Sequence, residues 1–316
     1  MSHPLVLDLP KKSSVHWGKL YGCANALAIA EQVKSSQHLT LVATPTSADA
    51  FYLEDALRFF ASDLTILSFP DWETLPYDLF SPHQDIVSQR LKTLYQLPNT
   101  QSGVLVLPVS TLMQRLCPAS YINQQALVIS AGDELSMDDF RIKLVSAGYR
   151  NVSEVSEHGE FAIRGSLFDL FPMASDKPFR IDYIDDEIDS IYQFNPSDQI
   201  ADLQNPIDKV EMLPAREFPM DEAAITRFRQ GFRQRFDSSR DSPVYRDISN
   251  GVIPSGCEYY MPLFLEEMVT IFDYLSENTT VIQAGDCASA MHSFTEQLHE
   301  RYEQRRYDIE RPVLYC

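Results

Sequence analysis

The chain is short of cations: 26 lysines and arginines stand against 45 aspartates and glutamates, a formal net charge of −19 over 316 residues. Nonspecific nucleic-acid binding draws on Lys and Arg that displace counterions from phosphates, so this balance opposes a general polyphosphate-gripping surface. Proteins remain as partners, including ones that meet a few local basic residues in an acidic field. Cysteine is scarce too. The five residues, Cys23, Cys117, Cys257, Cys287 and Cys316, are odd in number and widely spaced. No Cys-x-x-Cys pair is present to hold zinc or run thiol exchange, and the thiols are expected to be reduced packing residues. No window approaches the roughly 18 apolar residues of a membrane span. Met1-Ser-His-Pro lacks the charged and apolar regions of a secretory signal. A cytoplasmic location is expected. Internal repeats and low-complexity tracts are absent as well.

What is present is a 44% hydrophobic composition, enough for packed cores, and a length of two or three domains at roughly 100–200 residues each. Early on, buried-type strands at Leu39–Ala43 and Val104–Pro108 alternate with helical patterns at Ser47–Phe60, Ile86–Leu97 and Ser110–Leu116. Such alternation predicts a parallel sheet flanked by helices. From about Gln125 the texture changes to short strands at Leu127–Ile129, Glu160–Ile163, Phe179–Ile184 and Ile191–Phe194, with a helix over Leu135–Gly148. These predict a small α+β insert with an antiparallel sheet. After Pro219, Ile225, Phe228, Phe232 and Phe236 fall at helical spacing, and Asp237–Pro243 reads as a loop or weakly ordered linker. Cys257–Tyr260 and Thr280–Gln283 read as a return to the strand and helix regime. The insert would then sit inside one discontinuous α/β domain. Arg305–Cys316 finishes on an apolar run without a cap, as expected of a fragment of a longer protein.

The motifs that could carry chemistry are incomplete. Gly18–Ala30 lies where a phosphate loop would open the first helix, and Gly22 is kept, but Asn25 and Ala26 stand where a lysine and a Ser or Thr are required. An Ala-rich buried helix start without nucleotide hydrolysis is expected. Asp185-Asp186-Glu187 admits two readings, a magnesium-binding cluster of a metal- or nucleotide-dependent enzyme or a solvated turn. Consecutive acids on an extended segment point to opposite faces, which favours the turn. His158, His292 and His299 have no ligand spacing for zinc, and no nucleophile elbow occurs. Arg164 and Arg180 are more informative. Period-two alternation sets Phe179, Ile181 and Tyr183 on one strand face and Arg180, Asp182 and Ile184 on the other. An exposed arginine beside an exposed isoleucine suits a binding hot spot. The competing assignment pairs Arg180 within the chain, to Asp182 or Asp186.

Asp71–Ile86, Ser88-Gln-Arg-Leu91 and Thr93–Pro98 resemble the bacterial transcription-repair coupling factors, the Mfd family. The likeness continues through Pro108–Pro118, Ser146–Arg150, Glu157–Glu160, Asp169–Met173 and Asp185–Ser190. It is to the N-terminal region of that family. The resemblance implies a UvrB-like module: a degenerate P-loop ATPase-like discontinuous domain with a parallel sheet (1–118 and 214–316) around an inserted α+β domain (119–213) that binds UvrA. It carries the UvrA contacts over to Arg164 and Arg180. Ile184 stands where an aromatic contact is expected, so the apolar contact would persist with less ring area. It further implies that RNA polymerase and DNA are engaged, and ATP and magnesium used, by domains beyond Cys316. This region would hold no cofactor, and a C-terminal domain would mask the UvrA face. Tyr77–Pro82 is too short for the aromatic hairpin with which UvrB grips damaged DNA.

Overall fold

The fold is described from a computed structural model, over residues 15–236 and 242–314. Strands run in chain order as β1 (Leu39–Thr44), β2 (Ile66–Ser68), β3 (Gly103–Pro108), β4 (Leu127–Ser130), β5 (Arg150–Asn151), β6 (Glu160–Arg164), β7 (Leu167–Phe171), β8 (Phe179–Ile184), β9 (Glu187–Phe194), β10 (Ala201–Pro206), β11 (Lys209–Met212) and β12 (Thr280–Gln283). The longer helices are α1 (Ala24–Ser36), α2 (Ser47–Phe60), α3 (Gln84–Gln96), α4 (Met137–Ser146), α5 (Glu222–Arg235) and α6 (Cys287–Arg305). The described residues divide into two compact units, one of residues 15–71, 96–114 and 270–297, the other of 72–95, 115–236, 242–269 and 298–314.

The first unit holds a parallel sheet of order β12-β1-β3-β2. Every residue of β1 and β3 is buried, which is why both read as unbroken apolar runs rather than alternating ones. Ala26, Ile29 and Val33 of α1 and Ala50, Leu53 and Leu57 of α2 pack on Val42, Val104 and Val106. Thr46 caps α2, its hydroxyl accepting from the Asp49 amide at 3.1 Å. The expected helix over Ser110–Leu116 is a single turn, Val109–Leu112.

The second unit holds an antiparallel ribbon, β4 with β11, and a six-stranded sheet of order β10-β9-β8-β7-β6-β5, antiparallel except for the parallel β5–β6 pair. One sheet face is the core: Phe161 stacks on Phe168, and Phe140 of α4 packs against Phe168 with ring centroids 4.8 Å apart. On the other face Val155, Ala162, Phe171 and Phe194 form a small cluster at one end. Helix α5 brings Phe228 and Phe232 to Phe264, Tyr245 and Tyr260, as its spacing predicts. Cys257–Leu263 is a 3-10 segment, entered through Gly256 in the left-handed region, and Thr280–Gln283 is the strand β12. Of the predicted linker, residues 237–241 lie outside the described residues, whereas Ser242 caps a helix that begins at Pro243. Cys23, Cys117, Cys257 and Cys287 are free thiols; Cys316 lies outside the described residues. Among the described residues no helix is long and apolar enough to cross a membrane.

Candidate binding face on the antiparallel sheet

The outer sheet face is set by strand register. Asp169 on β7 stands opposite Ala162 on β6 and Arg180 on β8, and the next row along holds Arg164, Leu167, Asp182 and Ser190. Opposed and diagonal residues on one face lie within reach of long side chains. The Asp169 carboxylate is 1% exposed and takes both arginines. Arg180 grips it bidentately, Nε to Oδ1 at 2.7 Å and Nη2 to Oδ2 at 2.9 Å, and Arg164 donates to the same Oδ2 from Nη2. Arg180 also donates from Nη1 to the Gln199 carbonyl at 3.1 Å, and its guanidinium lies 5.1 Å from the Phe194 ring centroid. The hydrogen bonds to Asp169 push the Arg180 pKa up. Ile184, at the strand end, is 61% exposed.

Arg180 therefore departs from expectation in two respects. Its side chain is only 15% exposed against 44% for Arg164, and its partner is Asp169, not Asp182 or Asp186. The reason is geometric. Asp182 follows Arg180 along the same strand about 7 Å away, whereas the cross-strand neighbour stands about 5 Å off. Asp169 and Gln199 were not singled out from sequence; a lone acid in an apolar strand such as Leu167–Phe171 is the signal that could have found the first.

Asp185 and Asp186 form the β8–β9 turn and Glu187 begins β9, all three exposed, with Asp185 in the left-handed region at φ 55° and the Asp186 carbonyl accepting from the Leu135 amide. Among the described residues no group of three or more His, Cys, Asp or Glu could hold a metal ion. At the start of α1, Gly22 adopts φ 57°, Ala26 is fully buried, and the Asn25 Oδ1 accepts the Ala26 amide at 2.7 Å. One amide of that helix start is thus already occupied, and among the described residues no strand precedes α1, unlike the strand–loop–helix setting of a phosphate loop. His158 is held between Asp85, at 2.6 Å from Nδ1, and the Ser175 carbonyl, at 2.7 Å from Nε2. A cavity of about 390 Å³ in the second unit is lined by Arg150, Arg216, Glu157, Glu217 and Glu258 among others. There Arg150 pairs with Glu157, and Glu217 with the buried Arg90.

Residues 127–218, which include the six-stranded sheet, match the family model described as the UvrB interaction domain. This region is a domain of that class. Along nearly its whole length the chain is similar to the transcription-repair-coupling factor of Haemophilus influenzae, 46% identical over 314 residues, covering 97% of this chain and 27% of the relative. The Escherichia coli K12 factor is 45% identical over 302 residues, covering 94% and 26%, and the Bacillus subtilis factor 27% identical over 261 residues, covering 78% and 22%. The chain belongs to the transcription-repair-coupling factor family, as its N-terminal module. It spans about a quarter of the length of these curated relatives.

Proposed function

We propose that this module is a non-catalytic adaptor that recruits UvrA through the outer face of the six-stranded sheet, with Arg164, Arg180 and Ile184 as its contact set. The observation that carries the reading is the presence of two arginines, Arg164 on β6 and Arg180 on β8, and an exposed isoleucine at the end of β8 on one face of the sheet, inside the match to the UvrB interaction domain. Charge-assisted contacts beside an apolar side chain that excludes water make a hot spot. In the whole protein the recruited UvrA would be delivered to RNA polymerase stalled at a DNA lesion. Polymerase displacement would fall to an ATP- and magnesium-dependent DNA translocase elsewhere in that protein, and a C-terminal domain would cover the UvrA face until polymerase is engaged. No cofactor is assigned to this module. The Asn25 and Ala26 substitutions at the start of α1 support a phosphate loop that has lost its chemistry, and incubation with ATP and magnesium is expected to release no phosphate above a buffer blank.

The test is calorimetric titration of the chain with UvrA, alongside Arg164→Ala and Arg180→Ala variants whose folds are checked by circular dichroism. Wild type should bind, and each folded variant should lose about 2 kcal/mol or more, as a hot-spot arginine does. Equal binding by all three would remove this face from the interaction. Absence of binding by wild type would remove the adaptor reading.

A further inference from the structure

We infer that Asp169 is the positioning residue of this face, a buried carboxylate that sets Arg164 and Arg180 in one geometry before a partner arrives. The inference rests on the reading of the face as the UvrA-docking surface. A carboxylate that is 1% exposed needs its charge and lone pairs answered inside the protein. The bidentate Arg180 fork answers the charge and one lone pair on each oxygen, with both bonds under 3 Å. Arg164 is the surplus cation: two guanidiniums against one carboxylate leave the trio with a net single positive charge. That charge is presented outward, because Arg164 is about three times as exposed as Arg180, 44% against 15%. Arg180 thus serves both as the internal counter-ion and, through the part that stays exposed, as the smaller contact, and Arg164, tethered at Nη2 to the same oxygen, as the larger one.

A second fastening supports the same arrangement. Arg180 Nη1 donates to the carbonyl of Gln199, a non-glycine residue held in the left-handed region at φ 60°. Its side-chain amide is pinned to the carbonyls of Val155 at 3.0 Å and Pro196 at 2.9 Å. A strained backbone persists where its surroundings over-determine it. An arginine already locked by its own counter-ion loses less side-chain freedom on docking than a free one, which raises affinity without any added contact.

The experiment is a double-mutant cycle read by UvrA titration. Asp169→Asn keeps the side-chain shape and removes the charge; Arg164→Ala and Ile184→Ala are each made in wild type and in that background. Arg164→Ala should weaken binding at least about tenfold in wild type and less than about threefold beside Asp169→Asn, as expected for coupled neighbours. Ile184→Ala should weaken binding by the same factor in both. An unchanged Arg164→Ala effect beside Asp169→Asn would overturn the inference. So would equal shrinkage of both effects, which would make Asp169 a general structural residue. Should Asp169→Asn not fold, or should wild type not bind UvrA, ¹⁵N relaxation of the guanidinium Nε–Hε groups in the free wild-type chain decides the point. Arg164 and Arg180 should both be restricted relative to the exposed Arg115; an Arg164 as mobile as Arg115 would overturn the inference. Missing UvrA binding alone would sink the docking reading and leave the relaxation result standing.

Discussion

Arg90 is fully buried in the second unit and faces Glu217, itself 4% exposed, with Nε to Oε1 at 2.6 Å and Nη2 to Oε2 at 3.2 Å. The Trp72 indole donates to the same Oε1 at 3.1 Å, and its ring lies 5.2 Å from the Arg90 guanidinium. Removing one member of such a pair strands a charge out of water, so Arg90→Met is expected to destabilise the fold by about 3–5 kcal/mol in urea denaturation. Beside it, burial is the main cause raising the Glu258 carboxyl pKa, opposed by the Ser81 hydroxyl hydrogen bond. A group whose folded pKa is raised binds its proton more tightly folded than unfolded. Its unfavourable contribution therefore grows as pH rises from about 4.5 through the folded value. Glu54 in the first unit shifts the same way, also from burial. Glu258→Gln is expected to flatten part of the fall in urea midpoint across that window; an identical slope in variant and wild type would count against the burial argument.

At the level of elements, Gly103 opens β3 at φ 139°, and a Cβ there would come within 2.5 Å of the Thr65 carbonyl oxygen. Gly103→Ala combines a backbone conformation that L side chains avoid with a clash on main chain that cannot swing away. A loss of about 1–3 kcal/mol is expected, read as a lower thermal midpoint. Helix α5 is opened by Asp221, whose carboxylate accepts the Ala224 amide at 2.8 Å; Asp221→Ala should cost about 1 kcal/mol in the same assay. Element patterns were the most legible part of the sequence. Ser47–Phe60 and Phe179–Ile184 match their helix and strand to the residue, because the hydrophobic period is a local property. For Cys257–Leu263 the sequence pattern leaves strand and helix undivided, and Gly256 in the left-handed region with Pro262 inside the segment favours a tight 3-10 turn over a ladder. Strand β10 left no apolar signal, since five of its six residues are exposed.

For the molecule as a whole, the charge of −19 leads to a plain expectation. The module should show no retention of a duplex DNA in gel shift at about 0.15 M salt, and a tight complex with a steep salt slope would contradict it. The family motifs acquire a physical meaning at this scale. Ser88 accepts the Ala174 amide at 2.8 Å, Arg90 neutralises Glu217, and Asp71 holds the Ser110 hydroxyl. Three of the segments that carry the family resemblance are therefore fastenings of the fold. By itself, the sequence determined the alternation of buried strands and helices, the antiparallel character of the central region and the strand face shared by Arg180 and Ile184, all of which follow from the spacing of apolar residues along a short stretch. Only tertiary structure decided that Arg180 is largely covered and that Arg164 shares its carboxylate. It alone paired Arg90 with Glu217 across 127 positions. These depend on which strands and helices become neighbours, and a side chain's counter-ion is chosen by distance in space, where separation along the chain carries no weight.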